Sequence, residues 1–263
     1  MDETLGLEES LVKGSNNRLT LDANDTTKPQ VIRGVIKDHH RNNAQAIGRD
    51  YWYIDTGYFG NFPSAGNKKG QKKWHRVVKN ENQQVDIVDV PSDRWERLVN
   101  DDPRLVWKGW KDYDKKILLV MPNPKACKWY NINYDKWVTD TQEQIAKYSD
   151  LPVEVRIKGS RRERNAGYTI YDAFDSGVYA TVAMNSMAAL ESVLYGIPAF
   201  VSVPCAASPL ASMDLSQLAN PVKPKFKHIE RHCKNLAYTQ FTIEEIQSGI
   251  AYKLTEQYRR NYF

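Results

Sequence analysis

Cysteine is scarce in this sequence and its apolar runs are short. The three cysteines, Cys127, Cys205 and Cys233, are far apart, odd in number and not at metal-ligand spacing, which argues against a disulfide framework and a zinc site. No run approaches the ~18 apolar residues that a membrane span requires. The acidic start MDETLGLEES is unlike a signal peptide, so a cytoplasmic protein with no membrane partner is expected. No internal repeat appears, which excludes a solenoid. What is present suits a folded core: 41% hydrophobic residues with seven Trp and fifteen Tyr in 263 residues, enough for one large or two small domains. Lys plus Arg number 37 against 32 Asp plus Glu, a formal net charge of +5. Such a surface permits an anionic partner.

Residues 178–204, VYATVAMNSMAALESVLYGIPAFVSVP, are the most informative stretch. The apolar run Val178 to Ala183 predicts a buried strand, Asn185 and Ser186 a helix cap, and Gly196 then Pro198 a helix stop before a second strand at Ala199 to Val203. First-turn amides of such a helix are unpaired and carry the positive end of its dipole, so a phosphate at Asn185 and Ser186 would be well held. Glu191 lies further along, placed to accept hydrogen bonds from sugar hydroxyls. A scaffold helix between two parallel strands would carry the same pattern.

Strands are also predicted at VIRGVI (31–36), YWYID (51–55), ILLVM (117–121) and VEVRIK (153–158), with a helix from Asp135 to Tyr148. The alternation favours parallel sheets. Residues 1–28 lack a sustained period and are expected to form an irregular arm. An α/β domain over 29–115 and a second over 116–240 follow, and a helix over 241–263 starts at a Thr242–Glu245 capping box with Phe241 stapled onto Ile246. The loop KDHHRNNAQAIGRD and Asp55 place Asp38, His39, His40 and Asp55 at strand ends, where open α/β sheets bind ligands.

Two basic segments stand out. GNKKGQKKWHRVVK, residues 66–79, holds five lysines and one arginine without an acid. As a loop, its Lys72, Lys73 and Arg76 would track a phosphate backbone while Trp74 stacks on a base; a solvated loop with Trp74 anchored in the core is the alternative. RIKGSRRER follows a predicted strand, with Arg156 and Lys158 on one side of it. His228 and His232 lie at helical spacing beside Cys233, but no fourth ligand is evident and a metal site is not favoured.

The NS pair, the Glu five residues after that Ser, and GIPAF resemble the donor-binding half of GT-B glycosyltransferases, including the capsule-polysaccharide-synthesis-like group and related phage proteins. The blocks AASPLASMDL and LAYTQFTIEEIQSG extend the similarity from about Ile117 to the C-terminus. The resemblance implies two Rossmann-like parallel-sheet halves with a C-terminal helix crossing back. It also implies a nucleotide-sugar donor, first a UDP sugar, with its phosphates at Asn185 and Ser186, its ribose at Glu191 and the loop of Ser208 at its border; Arg156 and Lys158, by their place after a strand, are the cations expected at the leaving diphosphate, with a solvated charge cluster as the alternative. No cofactor beyond that co-substrate and no metal is expected, since cations and helix amides would stabilise the leaving diphosphate. Asp55 and His39 are the candidates for a general base. For the acceptor, the basic loop and the phage similarity favour a hydroxymethylated base in DNA. Surface-polysaccharide synthesis, a non-catalytic nucleic-acid-binding protein and a nucleotide-sugar epimerase remain alternatives.

Overall fold

The computed structural model describes residues 6–35, 38–61, 73–157 and 169–260. In chain order its first elements are α1 (Leu7–Gly14), β1 (Gln30–Arg33), α2 (Asp38–Ala46), β2 (Tyr51–Thr56), β3 (His75–Lys79) and α3 (Asp93–Asp101). Next come β4 (Lys116–Val120), α4 (Pro124–Trp129), α5 (Tyr134–Tyr148), β5 (Val153–Arg156), α6 (Ile170–Asp175), β6 (Val178–Ala183), α7 (Met187–Tyr195) and β7 (Ala199–Val201). The chain then forms α8 (Phe226–Ala237), β8 (Gln240–Phe241), α9 (Ile243–Gln247) and α10 (Ile250–Arg260). Two compact units divide it: Met1–Gln84, Val88–Asp102 and Cys233–Phe263 make unit 1, and Val85–Ile87 with Pro103–His232 make unit 2.

Unit 1 is built on a sheet of order β1-β2-β3-β8. β1 and β2 pair in parallel through α2, whereas β2–β3 and β3–β8 are antiparallel. The sheet is therefore mixed, where the alternation predicts a parallel one. The physical reason lies in the sequence of residues 57–74, GYFGNFPSAGNKKGQKKW, which holds no apolar helical period of the kind that a crossover to a parallel neighbour is built from. Leu11, Leu19, Val31, Trp52, Ile54, Val77, Phe241, Ile246 and Ala251 form one core cluster. Leu11 and Leu19 belong to the stretch read as an irregular arm; α1 and its following turn instead pack into this core. The polar segment read as a loop after β1 forms α2.

The C-terminal segment also differs from a single helix. Thr242 and Glu245 do form the capping box of α9, but Gly249, at φ +84°, breaks the helix before α10. A Cβ there would lie 2.4 Å from the Gly14 carbonyl oxygen, so close backbone packing as well as φ selects glycine. The break changes which face is covered: Ile246 is buried, while Ile243 and Ile250 are exposed.

Unit 2 carries an all-parallel sheet of order β5-β4-β6-β7. β4 is a continuous apolar run, KILLV, buried from Ile117 onward, as a central strand covered on both faces requires. The core joins Ile117, Leu119, Trp137, Ile145, Val182, Met184 and Phe200. From β4 the chain goes outward to β5, then returns to place β6 on the other side of β4. That reversal is a topological switch point, and ligands of open α/β sheets bind outside the carboxyl ends of the strands there.

Candidate functional site

The carboxyl edge of the unit 2 sheet is fixed by strand register. Val120 pairs with Arg156 and with Ala183, and Ala183 pairs with Val201. Met121, Met184 and Ser202 are thus the first residues beyond the edge. The Met121 N–H donates to Arg156 O at 2.9 Å, and the N–H groups of Ser202 and Val203 donate to Met184 O at 3.1 and 3.3 Å. Asn185, Ser186, Arg156 and the segment leading to Ser208 therefore share one edge.

At the switch point the β6 loop runs into α7. Ser186 is its N-cap, and its hydroxyl accepts from Ala188 N at 3.2 Å. The Ala189 N–H donates to Ser186 O at 3.1 Å. The first turn is thus partly satisfied from within, which corrects the expectation of unpaired first-turn amides; its dipole still favours an anion beside it. Every residue of α7 is buried except Met187 and Glu191. Spaced i, i+4, these two occupy one helix face, so α7 offers a single open stripe from Asn185 and Ser186 toward the half-buried Glu191.

Opposite the β6 loop, β4 ends in Met121-Pro122-Asn123, and Asn123 caps α4 by accepting from Lys125 N at 2.9 Å. Asn123 is not among the residues expected at the site. Its signal was there: an Asn before Pro at the first helical position, directly after an apolar strand. Arg156, half-buried at the end of β5, acts on Asp172 in the capping box of α6. The Asp172 carboxyl is held below its usual range first by hydrogen bonds with Thr169 and further by the Arg156 charge. Lys158 lies outside the described residues.

Ser208 is occupied by its own turn. Its hydroxyl donates to Cys205 O at 2.8 Å and accepts from Cys205 N at 3.2 Å, so it shapes the loop after β7. The rim nearby is pinned by Trp137 Nε1, which donates to Ser202 Oγ at 2.9 Å.

The metal-free expectation takes the chain to have no obvious Asp-x-Asp motif; that is corrected by one such triplet, Asp112-Tyr113-Asp114. It precedes β4 and so lies at the amino edge of the sheet, opposite the Asn185–Ser186 loop. Among the described residues no group of three or more His, Cys, Asp or Glu is placed to hold a metal ion.

The unit 1 candidates are placed differently from expectation. Trp74 is 2% exposed, and its ring is flanked by the Lys73 ammonium at 5.5 Å and the Arg97 guanidinium at 5.0 Å. It is anchored in the core, as the second of the two sequence readings has it, and is not a stacking platform for a base. Arg76, in β3 and 8% exposed, donates to Asn82 O and Thr56 O, each at 2.8 Å, and to Asp55 Oδ2 at 3.2 Å. It is turned inward, where a phosphate backbone does not reach. Lys73 is exposed and pairs with Asp101, and Lys72 lies outside the described residues.

Asp55, at the end of β2, accepts from Arg76, from Tyr53 OH at 3.0 Å and from Thr56 N at 2.7 Å. These bonds commit its oxygens to holding the strand end, a structural occupation in place of the general base expected. Burial first, opposed by the Arg76 charge, raises the Tyr53 phenol above its ordinary value, so Tyr53 stays a donor to Asp55. His39 is exposed on α2, its ring centroid 4.2 Å from that of His40, which meets Gln30 Nε2 through Nδ1 at 2.8 Å.

Two α/β units, one with a four-stranded parallel sheet and a switch point, make this a GT-B-like fold, the architecture of a class of glycosyltransferases. Among solved structures the chain is similar to KpsC of Thermosulfurimonas dismutans, a β-Kdo 2,4 transferase, with a TM-score of 0.51 over 86% of each chain and 11% identity. At that identity the likeness is one of fold. No family model and no curated protein matches the sequence. No helix among the described residues is long and apolar enough to cross a membrane.

Proposed function

We propose that the protein is a glycosyltransferase whose nucleotide-sugar donor lies along the open stripe of α7. The observation that carries this reading is that stripe: a buried helix at a switch point leaves only Met187 and Glu191 uncovered, in line with the Asn185–Ser186 cap. Donor phosphates sit at Asn185, Ser186 and the helix N-terminus, and the Glu191 carboxylate accepts hydrogen bonds from ribose hydroxyls. In the transfer step an acceptor hydroxyl oxygen attacks the anomeric carbon as the bond to the leaving phosphate oxygen breaks. The hydroxyl proton passes to a base, and the charge growing on the leaving nucleotide is met by Arg156 and the α7 dipole. A UDP sugar is the first donor to test.

The acceptor we favour is a hydroxyl of a glycan, in keeping with the Kdo transferase activity of the protein that shares the fold. The inward placement of Trp74 and Arg76 takes support from a DNA acceptor.

Glu191→Ala is the decisive variant. Removing a charge-assisted hydrogen bond worth about 1.5–3 kcal/mol should lower turnover about 10- to 100-fold. Circular dichroism should show the variant still folded, so that the lost turnover reports on the site. The assay pairs a thermal-shift screen of uridine-, guanosine- and cytidine-linked sugars with mass analysis of glycan and hydroxymethylated-DNA acceptors. Stabilisation by none of the nucleotide sugars, or wild-type turnover in Glu191→Ala, sinks the reading.

A further inference from the structure

The loop that follows β7 is held from below by a histidine that the sequence reading set aside. Cys205, Ala206 and Ala207 are buried at the start of this loop, just beyond the Ser202 and Val203 amides that bond Met184 O, the residue before Asn185. Its turn is closed by Ser208 onto Cys205. From α8 a side chain reaches its backbone: His232 Nε2 stands 2.6 Å from Ala206 O. His232 is 0% exposed.

A carbonyl oxygen only accepts, so Nε2 carries the ring proton and Nδ1 is left as a bare acceptor. That Nδ1 is buried with no hydrogen-bond partner. A buried, half-satisfied imidazole is a poor choice for stability, since an unmet polar atom carries a desolvation penalty that an apolar ring avoids. The hydrogen bond it does make is placed where it sets the height of the Ala206 peptide, and with it the path of the loop beside the proposed donor phosphates.

We infer that His232 is a positioning residue for donor binding, acting through the Ala206 carbonyl to hold the 205–208 loop against the Asn185–Ser186 end of the site. This rests on the donor site proposed above. The imidazole touches no substrate in this role. It fixes the buried start of a loop that continues into the partly exposed Ser208 and Pro209, in the way that supporting hydrogen bonds pre-set a binding loop.

The test compares three variants of the full chain. His232→Gln carries an amide N–H to about the position of Nε2, His232→Asn keeps a polar side chain that falls short of Ala206, and His232→Phe keeps the ring without the donor. Hydrogen–deuterium exchange over residues 203–210 reads the loop directly, and calorimetric affinity for uridine, guanosine and cytidine diphosphates reads the site. Asn and Phe should speed loop exchange and weaken nucleotide binding about tenfold, equivalent to about 1.4 kcal/mol, with kcat at saturating donor little changed and Gln restoring both readouts. Unchanged exchange in folded Asn or Phe variants overturns the inference. Faster exchange with undiminished nucleotide affinity overturns it too, because the loop would then not serve the donor. If the wild-type protein binds none of the nucleotides, the donor-site reading fails and the role inferred for His232 in donor binding falls with it, whereas the exchange data still decide whether His232 holds the loop.

Discussion

At the scale of single residues, burial decides what the charged and polar side chains do. His232 is again the clearest case. Burial, partly offset by the Ala206 hydrogen bond, lowers its pKa from an ordinary 6.5 to about 4. Between those values the unfolded chain takes up a proton that the folded chain refuses. The stability it preserves is therefore fully present above pH 6.5 and is lost as the pH falls toward 4, in total about 3 kcal/mol. His232→Gln, which has no titrating group at that position, should flatten this part of the profile. Urea midpoints at pH 4.5 and 7 for both proteins measure the difference, and equal slopes would remove His232 from the acid response. Arg76 meets the same burial with the opposite net outcome. Burial lowers its pKa, but Asp55, Tyr53 and Tyr58 outweigh that and the net shift is upward, so it remains charged inside unit 1.

At the scale of elements, α7 depends on how it ends. Gly196 closes α7 at φ +90°, and a Cβ on it would lie 1.8 Å from the Gly109 carbonyl oxygen. Its own carbonyl accepts from Lys111 N at 2.7 Å, so the backbone has no room to retreat. Gly196→Ala adds left-handed strain to that clash and should cost about 2–4 kcal/mol, seen as a fall in melting temperature; an unchanged melt would mean that the Gly109–Lys111 segment yields. This element was legible from sequence because each signal was local: an apolar run, a Ser cap, a Gly then a Pro. The Thr242–Glu245 box was legible for the same reason. What stayed hidden depends on partners distant in sequence. Nothing near Arg76 announces that it will turn inward to Asp55, a cross-strand neighbour in the β2–β3 register, and a run of lysines around Trp74 looks like a solvated loop until the strand forms. α2, with the sequence DHHRNNAQA, has no apolar period to betray it, and β8 is two residues long, too short for any pattern. Of the candidate site, the Ser186 cap was legible, as the Asn123 cap was from its place before Pro124, whereas the His232 contact with Ala206 needed the packing of α8.

At the scale of the molecule, the two units are unequal in how the chain supplies them. Unit 2 is nearly one continuous piece, Pro103–His232, whereas unit 1 is assembled from three. Its fourth strand β8 pairs with β3, and Arg94 binds Glu245 through two nitrogens at 2.9 and 3.0 Å and also donates to Gln240 O and Ala237 O. A fragment of residues 103–237 should fold alone and melt cooperatively, while residues 1–102 should show the low near-ultraviolet dichroism of an unpacked chain and recover structure when 233–263 is supplied in trans. A cooperative melt for 1–102 by itself would contradict this.

The β3–β8 pairing also bears on the order of events at the ribosome. Synthesis runs from the N-terminus, and domains commonly fold in the order they emerge. Here the edge of β3 waits, with Val77 and its neighbours short of the Phe241 and Ile246 side chains that complete their cluster, until residues 233–263 have been made. Nascent protein thus passes through a stage in which the later-made unit is finished and the earlier-made one is open. That stage, and not the completed molecule, is where a chaperone has most to shield.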